Sequence, residues 1–396
     1  MKVSLVGIGM DGAKTLTKEA QDCIASSDLL IGAKRMLAPF SHLKKATFVC
    51  WKAEEISAYL QANPVERAVV LLSGDTGFYS GAAKLCDALA NYQPDILCGI
   101  ASPVYFCSKI QKPWQEMHFV SCHGTDSAIV RPVCRHRYCF FLLGGSITPK
   151  EICQRLCEYH LGNLPVWIGT DLAYDTEQLY AGIASEYTAL ETAPLAVMVV
   201  ENPCAETHIP VGIPDDRWIR GKVPMTKREI RCNAISMLEV TQNAVCWDVG
   251  CGTGSVSVEM ALQCFNGHVY AIDQKEDAVA LTKENQVQFG CDHITTILGT
   301  APESLLELPA PTHVFIGGSC GAMEQILEVV FSKNPNATVV ISAIALETLQ
   351  QGMMALQKHG ISPEIIQLAV TRTKTIGSHT MLSAENPIFL LKGVQA

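Results

Sequence analysis

The chain has 396 residues, which at roughly 100–200 residues per domain suggests two or three domains. Hydrophobic residues make up 48% and charged residues 17%, a balance that supports a buried core and argues against intrinsic disorder. The net charge of −9 argues against broad attraction to nucleic acid or to an anionic membrane surface.

The first half of the chain alternates short apolar runs with helix-like segments. Strands are predicted at Val3–Val6, Ala68–Leu72, Asp95–Cys98, Phe140–Leu143, Val166–Ile168 and Ala196–Val200. Helical patterns lie between them, for example at Ala53–Leu60, Gly81–Ala90 and Pro149–Tyr159. This alternation predicts an α/β region with largely parallel strand pairing.

Proline and glycine then punctuate the chain at Asn202-Pro203, Pro210, Gly212 and Pro214, which indicates a linker. We therefore expect one domain over residues 1–205 and another over residues 211–396. The chain has no internal repeat or low-complexity tract, and its halves carry different motifs. This pattern predicts a fusion of two unlike domains.

The second half is a further α/β series. Its strands are predicted at Val245–Val249, His268–Ile272, Ile294–Leu298, Thr312–Ile316, Ala337–Ile341 and Ile388–Leu391, with a β-like stretch at Glu364–Thr371. Its helices are predicted near Thr226–Leu238, Ser255–Gln263, Lys275–Phe289, Ala322–Ser332 and Leu346–His359.

We find no targeting signal, and the densest apolar runs, Cys139–Leu143 and Pro194–Val200, are far below the ~18–20 residues that span a bilayer. These features predict a cytoplasmic protein with no membrane partner. The 17 cysteines form no Cys-x-x-Cys pair, so we expect reduced, buried thiols. Cys134, His136 and Cys139 lie close in sequence but lack a fourth ligand with usual spacing, so no metal site is predicted.

The clearest local signal is the sequence WDVGCGTGS at residues 247–255, where an apolar strand runs into three glycines at alternate positions before a helix. A dinucleotide site expects G-x-G-x-x-G, whereas this spacing is G-x-G-x-G and fits S-adenosylmethionine, which has no diphosphate. Asp273, at the end of the next strand, can accept both ribose hydroxyls. The alternative interpretation is a tight glycine turn and a helix-capping aspartate.

A run of cationic residues precedes this loop. Six of the thirteen Lys and Arg residues after Pro210 fall within the fifteen residues from Arg217 to Arg231. One interpretation is a solvated helix face, as for most charge runs. The other is a local binding surface for a ligand with several carboxylates.

Five stretches of the second half are distinctive, namely GIPDDRWIRGKVPMTKREIR (212–231), WDVGCGTGSVSVE (247–259), TAPESL (300–305), VFIGGSCG (314–321) and TMLSAENPIFLL (380–391). Together they resemble the precorrin C-15 methyltransferase/decarboxylase family of corrin biosynthesis. The resemblance implies a Rossmann-like class I methyltransferase fold. The donor-binding residues it implies are Thr226, Asp248, Gly250, Cys251, Gly252, Thr253, Gly254, Asp273 and Ala301. Thr300 replaces the Asp that is usual in the family, and Lys374 stands where Arg is frequent.

Glycine-rich turns also follow predicted strands in the first half. They are GIGMDG at residues 7–12, LSGDTGFYSG at 72–81 and GIASP at 99–103. A Gly-Asp pair at a strand end leaves backbone amides and a carboxylate facing a cleft. Taken singly, each piece is equally well a simple turn.

Together these turns resemble the tetrapyrrole (corrin and porphyrin) methylase family, of the precorrin C-5 methylase type, over about residues 1–203. The resemblance implies two α/β subdomains with S-adenosylmethionine folded between them. The implied donor-binding residues are Gly7, Gly9, Asp75, Phe78, Ala101 and Ser102. Thr76 stands where Pro is frequent and Ala101-Ser102 where Ser-Ser is frequent. His123 is expected either near the cleft or buried and hydrogen-bonded.

The order of the two resemblances implies a fusion of the two activities, with one S-adenosylmethionine site per domain. The implied reaction methylates precorrin-6B at C-5 and C-15 and removes CO2 from the C-12 acetate, giving precorrin-8X. The substrate carboxylates need cationic partners, for which the candidates are Arg220, Lys222, Lys227, Arg231 and Arg372. No general acid or base is identified.

Other interpretations stay open at this point. They are a related tetrapyrrole or cobalt-precorrin methyltransferase with other regiochemistry, a non-catalytic nucleoside-binding scaffold, and an RNA methyltransferase. A continuous basic face, which the last would need, is not expected from the acidic balance of both halves. Both families that the chain resembles tend to self-associate, which implies a homo-oligomer.

Overall fold

The structure is a computed structural model that describes residues 1–12, 14–122, 128–206, 208 and 211–395. His123 and Pro210 lie outside the described residues. The chain divides into two compact units. The first comprises Met1–Ser127, His136–Cys157 and Leu161–Ala205, and the second comprises Ala128–Arg135, Glu158–His160 and Glu206–Ala396. In the described part of the chain, no helix has the length and apolar character needed to cross a membrane.

The first unit begins with a parallel sheet in the order β3-β2-β4-β1-β5. Its strands are β1 Lys2–Gly7, β2 Leu29–Gly32, β3 Ala46–Val49, β4 Arg67–Leu72 and β5 Asp95–Leu97. Its helices are α1 Lys18–Ala25, α2 Lys34–Leu37, α3 Ala53–Ala62 and α4 Ala82–Ala88. Strand β1 is buried almost throughout, as expected for a parallel strand covered on both faces. The register pairs Gly7 with Leu72, so the glycine-rich turns after β1 and β4 are neighbours.

A second sheet in the first unit has the order β6-β7-β10-β8-β9. Its strands are β6 Met117–Ser121, β7 Tyr138–Leu142, β8 Pro165–Thr170, β9 Gln178–Ile183 and β10 Ala196–Glu201. The helices of this stretch of chain are α5 Ser102–Lys109, α6 Val130–Arg135 and α7 Pro149–Glu158. The expectation of largely parallel pairing is wrong here, because β10 runs antiparallel to both β7 and β8, and β9 antiparallel to β8. Strand β9 is absent from the predicted strands because its side chains are mostly exposed.

The second unit contains a seven-stranded sheet in the order β13-β12-β11-β14-β15-β19-β16. The strands of this unit are β11 Val245–Val249, β12 His268–Asp273, β13 Ile294–Leu298, β14 His313–Ile316, β15 Thr338–Ala343, β16 Glu364–Leu368, β17 Thr371–Ile376, β18 His379–Ala384 and β19 Ile388–Gly393. The helices are α8 Arg228–Leu238, α9 Ser255–Gln263, α10 Glu276–Gln288, α11 Met323–Lys333 and α12 Leu346–Lys358. The first five strands of the order are parallel, whereas β19 is antiparallel to both neighbours. This mixed α/β architecture confirms the predicted fold class.

One element of the second unit was missed in the sequence. Strands β17 and β18 form a separate two-stranded hairpin. Nearly all of its residues are exposed, so it lacks the apolar alternation that marks a half-buried strand.

Short 3-10 helices occur in both units. They lie at Ala38–Leu43, Ala90–Tyr92, Trp114–Glu116, Ala184–Tyr187, Asp215–Arg217 and Glu303–Leu305.

Candidate functional site

The turn between β11 and α9 shapes the candidate site of the second unit. Gly250 has φ +77°, and a Cβ at this position would lie 2.8 Å from the backbone nitrogen of Gly318. A Cβ on Gly252 would lie 2.8 Å from the carbonyl oxygen of Pro224. Glycine is needed at both positions because neighbouring backbone approaches so closely. The turn therefore presents bare backbone at the carboxyl edge of the sheet, where ligands of α/β folds bind.

Asp273 ends the adjacent strand β12 and borders the same turn. The N–H of Gly252 donates to Asp273 Oδ2 (3.0 Å), and the N–H of Lys275 donates to Oδ1 (3.0 Å). Each carboxylate oxygen has a second lone pair, so Asp273 can also accept hydrogen bonds from two ligand hydroxyls. The geometry fits a ribose, and the role of Asp273 in donor binding stays a prediction.

A cavity of ≈ 1210 Å³ opens beside this turn. The sequence-predicted residues that line it are Thr226, Lys227, Gly250, Cys251, Gly252, Asp273 and Ala301. Polar and glycine residues that sequence reasoning missed also line it, namely Gln274, Gly317, Gly318, Ser319, Cys320, Ser342 and Asn386. Most of these residues lie at or just after the carboxyl ends of strands β12, β14 and β15. Ligands of α/β folds bind at this edge, so the predicted strand ends could have indicated these residues.

Three predicted donor-binding residues lie behind the glycine turn rather than along the cavity. Asp248 and Thr253 are buried, and a Cβ on Gly254 would meet the side chain of Thr282 at 2.7 Å. Ser257 donates a hydrogen bond to Asp248 Oδ2, while Oδ1 is buried without a partner among the described residues. Burial raises the pKa of Asp248 to about 7, and the bond from Ser257 lowers it only in part. These residues shape the turn from inside.

The cationic residues from Arg217 to Arg231 do not form one surface. The prediction that Arg231 binds the substrate is wrong. Its side chain is fully buried. Nε donates to Glu259 (2.7 Å), and Nη1 donates to Asp215 (3.2 Å) and to the carbonyl oxygen of Thr226 (2.5 Å). Its donors are therefore used within the protein, and it is inaccessible to a substrate.

The other four predicted substrate-binding cations differ in position. Lys227 lines the cavity, whereas Arg220 and Lys222 are exposed and lie outside its lining. Arg372, on β17, donates to Glu385 (2.9 Å) and to Glu229, and lies 3.9 Å from Asp215. Glu385 itself lines the cavity, whereas Arg372 does not; Arg372 therefore lies behind Glu385 as seen from the cavity. Thr300 lines the cavity and donates to Glu303 (3.0 Å).

The first unit has its own cavity, of ≈ 330 Å³, where the turns after β1 and β4 face the second sheet. Asp75, Phe78 and Ser102, all predicted from the sequence, line it. The N–H of Gly77 donates to Asp75 Oδ1 (2.8 Å), and the N–H of Gly99 donates to Oδ2 (3.0 Å). This carboxylate thus ties two glycine turns together at the mouth of the cavity.

The remaining predicted residues of the first unit lie in the backbone turns that support this cavity. They are Gly7, Gly9 and Ala101. A Cβ on Gly7 would lie 2.7 Å from the nitrogen of Gly99, and Gly9 exchanges backbone hydrogen bonds with Gly74. Ala101 is buried directly before α5. The lining of the cavity includes none of the three among the described residues. Their contact with a donor stays a prediction.

The cysteines of the described residues are free thiols, and burial raises the pKa of several, such as Cys107 and Cys122 to about 11. In the described ranges, no group of His, Cys, Asp or Glu could hold a metal ion. His123, which was expected near the cleft or buried, lies outside them.

A parallel sheet whose first strand ends in a G-x-G-x-G turn, beside a carboxylate on the next strand, defines an S-adenosylmethionine-dependent methyltransferase. Residues 2–187 match the tetrapyrrole (corrin/porphyrin) methylases, and residues 218–394 match the precorrin methyltransferase domain. A probable cobalt-precorrin-6B C(15)-methyltransferase (decarboxylating) from Pyrobaculum calidifontis is 39% identical over 183 residues, covering 46% of this chain and 94% of that protein. The chain belongs to the precorrin methyltransferases.

Two further comparisons cover different extents of the chain. A precorrin-6Y C(5,15)-methyltransferase [decarboxylating] from a Sinorhizobium species is 26% identical over 399 residues, which is 98% of this chain and 94% of that protein. The crystal structure of precorrin-6Y C5,15-methyltransferase from Geobacter metallireducens is 31% identical, covers 47% of this chain and 97% of that one, and has a TM-score of 0.45.

Proposed function

We propose that this enzyme methylates precorrin-6B at C-5 and C-15 and removes CO2 from the C-12 acetate, giving precorrin-8X. The observation that carries the proposal is that each unit has its own cavity bordered by a carboxylate and glycine turns at the carboxyl ends of its strands. The full-length match to a C(5,15)-methyltransferase supports the pairing of the two activities. We assign C-5 methylation to residues 1–205 and the C-15 reactions to residues 211–396.

In the second unit, the protein's task is to position two reactants. S-adenosylmethionine supplies an electrophilic methyl group when bound. The turn at Gly250–Gly252 would face it with bare backbone, Asp273 would accept its ribose hydroxyls, and Lys227 would pair with a substrate carboxylate at the cavity. The attacking carbon belongs to an electron-rich macrocycle, so no activated serine or cysteine is needed. Positioning of this kind contributes roughly 7–11 kcal/mol in well-oriented reactions.

Decarboxylation breaks the bond between the C-12 acetate methylene and its carboxylate carbon. CO2 leaves, the electron pair passes into the conjugated macrocycle, and a proton then adds to the methylene carbon, which becomes a methyl group. The macrocycle serves as the electron sink, so the protein has to orient the acetate and exclude water from it. The apolar lining at Ile230, Val249 and Ile388 can provide that exclusion.

The proposal is tested with the full chain, S-adenosylmethionine and precorrin-6B carrying a labelled C-12 acetate. We expect two added methyl groups and release of the label as CO2, measured by mass spectrometry, with NMR locating the methyls at C-5 and C-15. Methyls at other carbons would favour a related methyltransferase with different regiochemistry. Donor binding without turnover on any tetrapyrrole would favour a non-catalytic scaffold.

We further propose that the protein works as a homo-oligomer on a small molecule rather than on nucleic acid. The net charge of −9 is unfavourable for nucleic acid. The hairpin β17–β18 exposes Ile376 (53%), Met381 (53%) and Leu382 (76%), which favours contact with another copy. Light scattering of Leu382→Lys beside the unaltered chain tests this, and an unchanged mass would contradict the role of the hairpin. A cytoplasmic location stays a prediction.

A further inference from the structure

Arg35 is a cation at the cavity of the first unit that the sequence did not single out. It lies on α2, which starts two residues after β2 ends, and its exposed side chain lines the cavity together with Asp75, Phe78 and Ser102. The guanidinium therefore faces the same space as the residues expected to hold the methyl donor.

The partners of Arg35 are uncharged. Nη1 donates to the hydroxyl of Tyr174 (3.1 Å), and Nη2 donates to the hydroxyl of Ser73 (3.4 Å). Among the described residues, no carboxylate lies within ion-pair distance of Arg35. These two bonds to neutral hydroxyls, of which the one to Ser73 is long, are weak compared with the bidentate pairing that a guanidinium makes with a carboxylate.

The nearby carboxylates do not pair with Arg35. Asp75 lines the same cavity, but it accepts from the backbone N–H groups of Gly77 and Gly99 and forms no ion pair with Arg35 in the described part of the chain. Lys14, which reaches toward the segment that carries Tyr174, is paired with Asp175 (2.9 Å) and the carbonyl oxygen of Ala173 (3.1 Å). Neither Asp75 nor Asp175 pairs with Arg35, so the guanidinium has donors left for an anion that enters the cavity.

We propose that Arg35 binds a peripheral carboxylate of the tetrapyrrole substrate in the first unit, with Tyr174 and Ser73 holding the guanidinium ready until the substrate arrives. This inference rests on the proposed function, because it names the substrate contact of the C-5 site. The substrate carboxylate displaces one or both hydroxyls and gains two charge-assisted hydrogen bonds from the guanidinium.

The test uses the full chain with Arg35→Ala and Arg35→Lys. We expect Arg35→Ala to raise the KM for the tetrapyrrole in C-5 methylation about ten- to a hundredfold, with a much smaller change in kcat. This is the range for hydrogen bonds to a charged group. Arg35→Lys should recover part of the loss, since lysine restores the positive charge but not the two parallel N–H donors of the guanidinium. C-15 methylation by the same molecules should be unchanged, which also shows that the variant is folded.

Lys34→Ala is the matched control, because Lys34 is an exposed cation on the same helix that is not part of the cavity lining. It should leave KM for C-5 methylation unchanged. An unchanged KM in Arg35→Ala would overturn the inference. So would weakened binding of S-adenosylhomocysteine at the first site with an unchanged KM, since the carboxylate would then be the donor's own. Absence of C-5 methylation by the unaltered chain would instead contradict the proposed function itself.

Discussion

Arg231 and Glu259 form a fully buried ion pair, with Nε of the arginine 2.7 Å from Oε1 of the glutamate. Glu259 lies in α9, and it also accepts from the backbone N–H groups of Gly212 and Ile213 at 3.1 Å each. The pair therefore ties the segment at Gly212 and Ile213 and helix α8 to the helix that follows the glycine turn. The ion pair stabilises the helices next to the donor cavity, but neither of its residues lines the cavity.

We expect Glu259→Gln and Arg231→Met each to destabilise the second unit by about 3–5 kcal/mol, because removing one partner leaves the other charge buried. The fall in the denaturation midpoint measures this. Arg228→Met, an exposed arginine on the same helix, should change the midpoint little. Equal effects of Arg228→Met and Arg231→Met would show that burial of the pair is unimportant.

Gly250→Ala should abolish donor binding at the second unit. A Cβ there would lie 2.8 Å from Gly318 N and would sit at a φ of +77°, so the turn beside the cavity has to move. Gly360→Ala is the matched control, because its φ is +76° but a Cβ there meets nothing within 4 Å. Calorimetric titration with S-adenosylhomocysteine separates them. Loss of donor binding in both variants would point to backbone strain rather than to the contact with Gly318.

Asp273→Asn and Asp75→Asn should each impair one activity only. Each carboxylate borders a different cavity, so replacing Asp273 should lower donor affinity at the second unit about ten- to a hundredfold and leave C-5 methylation intact. Asp75→Asn should have the reverse effect, and each variant is the control for the other. The products, separated by mass, report both activities. Loss of both methylations in Asp273→Asn alone would contradict independent sites.

The sequence predicted most buried strands and the glycine turn, because parallel strands covered on both faces read as apolar runs that end in glycine. It missed β3, β9, β17 and β18, whose side chains are largely exposed. It also missed β2, a buried run of only four residues, and β6, which mixes buried and half-buried positions. It also grouped Arg231 with Arg220 and Lys222, because a charge run shows residue types but not which member is buried. Arg35 went unnoticed for a related reason, since only the fold brings α2 beside Tyr174.

Asp248 should make the stability of the second unit depend on pH. Burial raises its pKa to about 7, whereas an unfolded aspartate loses its proton near pH 4. The folded state therefore holds a proton that the unfolded state has lost. The stabilisation is fully present below about pH 4 and is lost as pH rises through about 7.

Asp248→Asn keeps an acceptor for Ser257 and cannot ionise. Its stability relative to the unaltered chain should therefore rise by about 4 kcal/mol between pH 4 and pH 8, measured by urea unfolding. Asp277→Asn, at an exposed position on α10, is the control for the same substitution outside the core. A difference between Asp248→Asn and the unaltered chain that stays constant with pH would mean that Asp248 is ionised in the folded protein. Its buried Oδ1 would then need a donor that the turn does not supply.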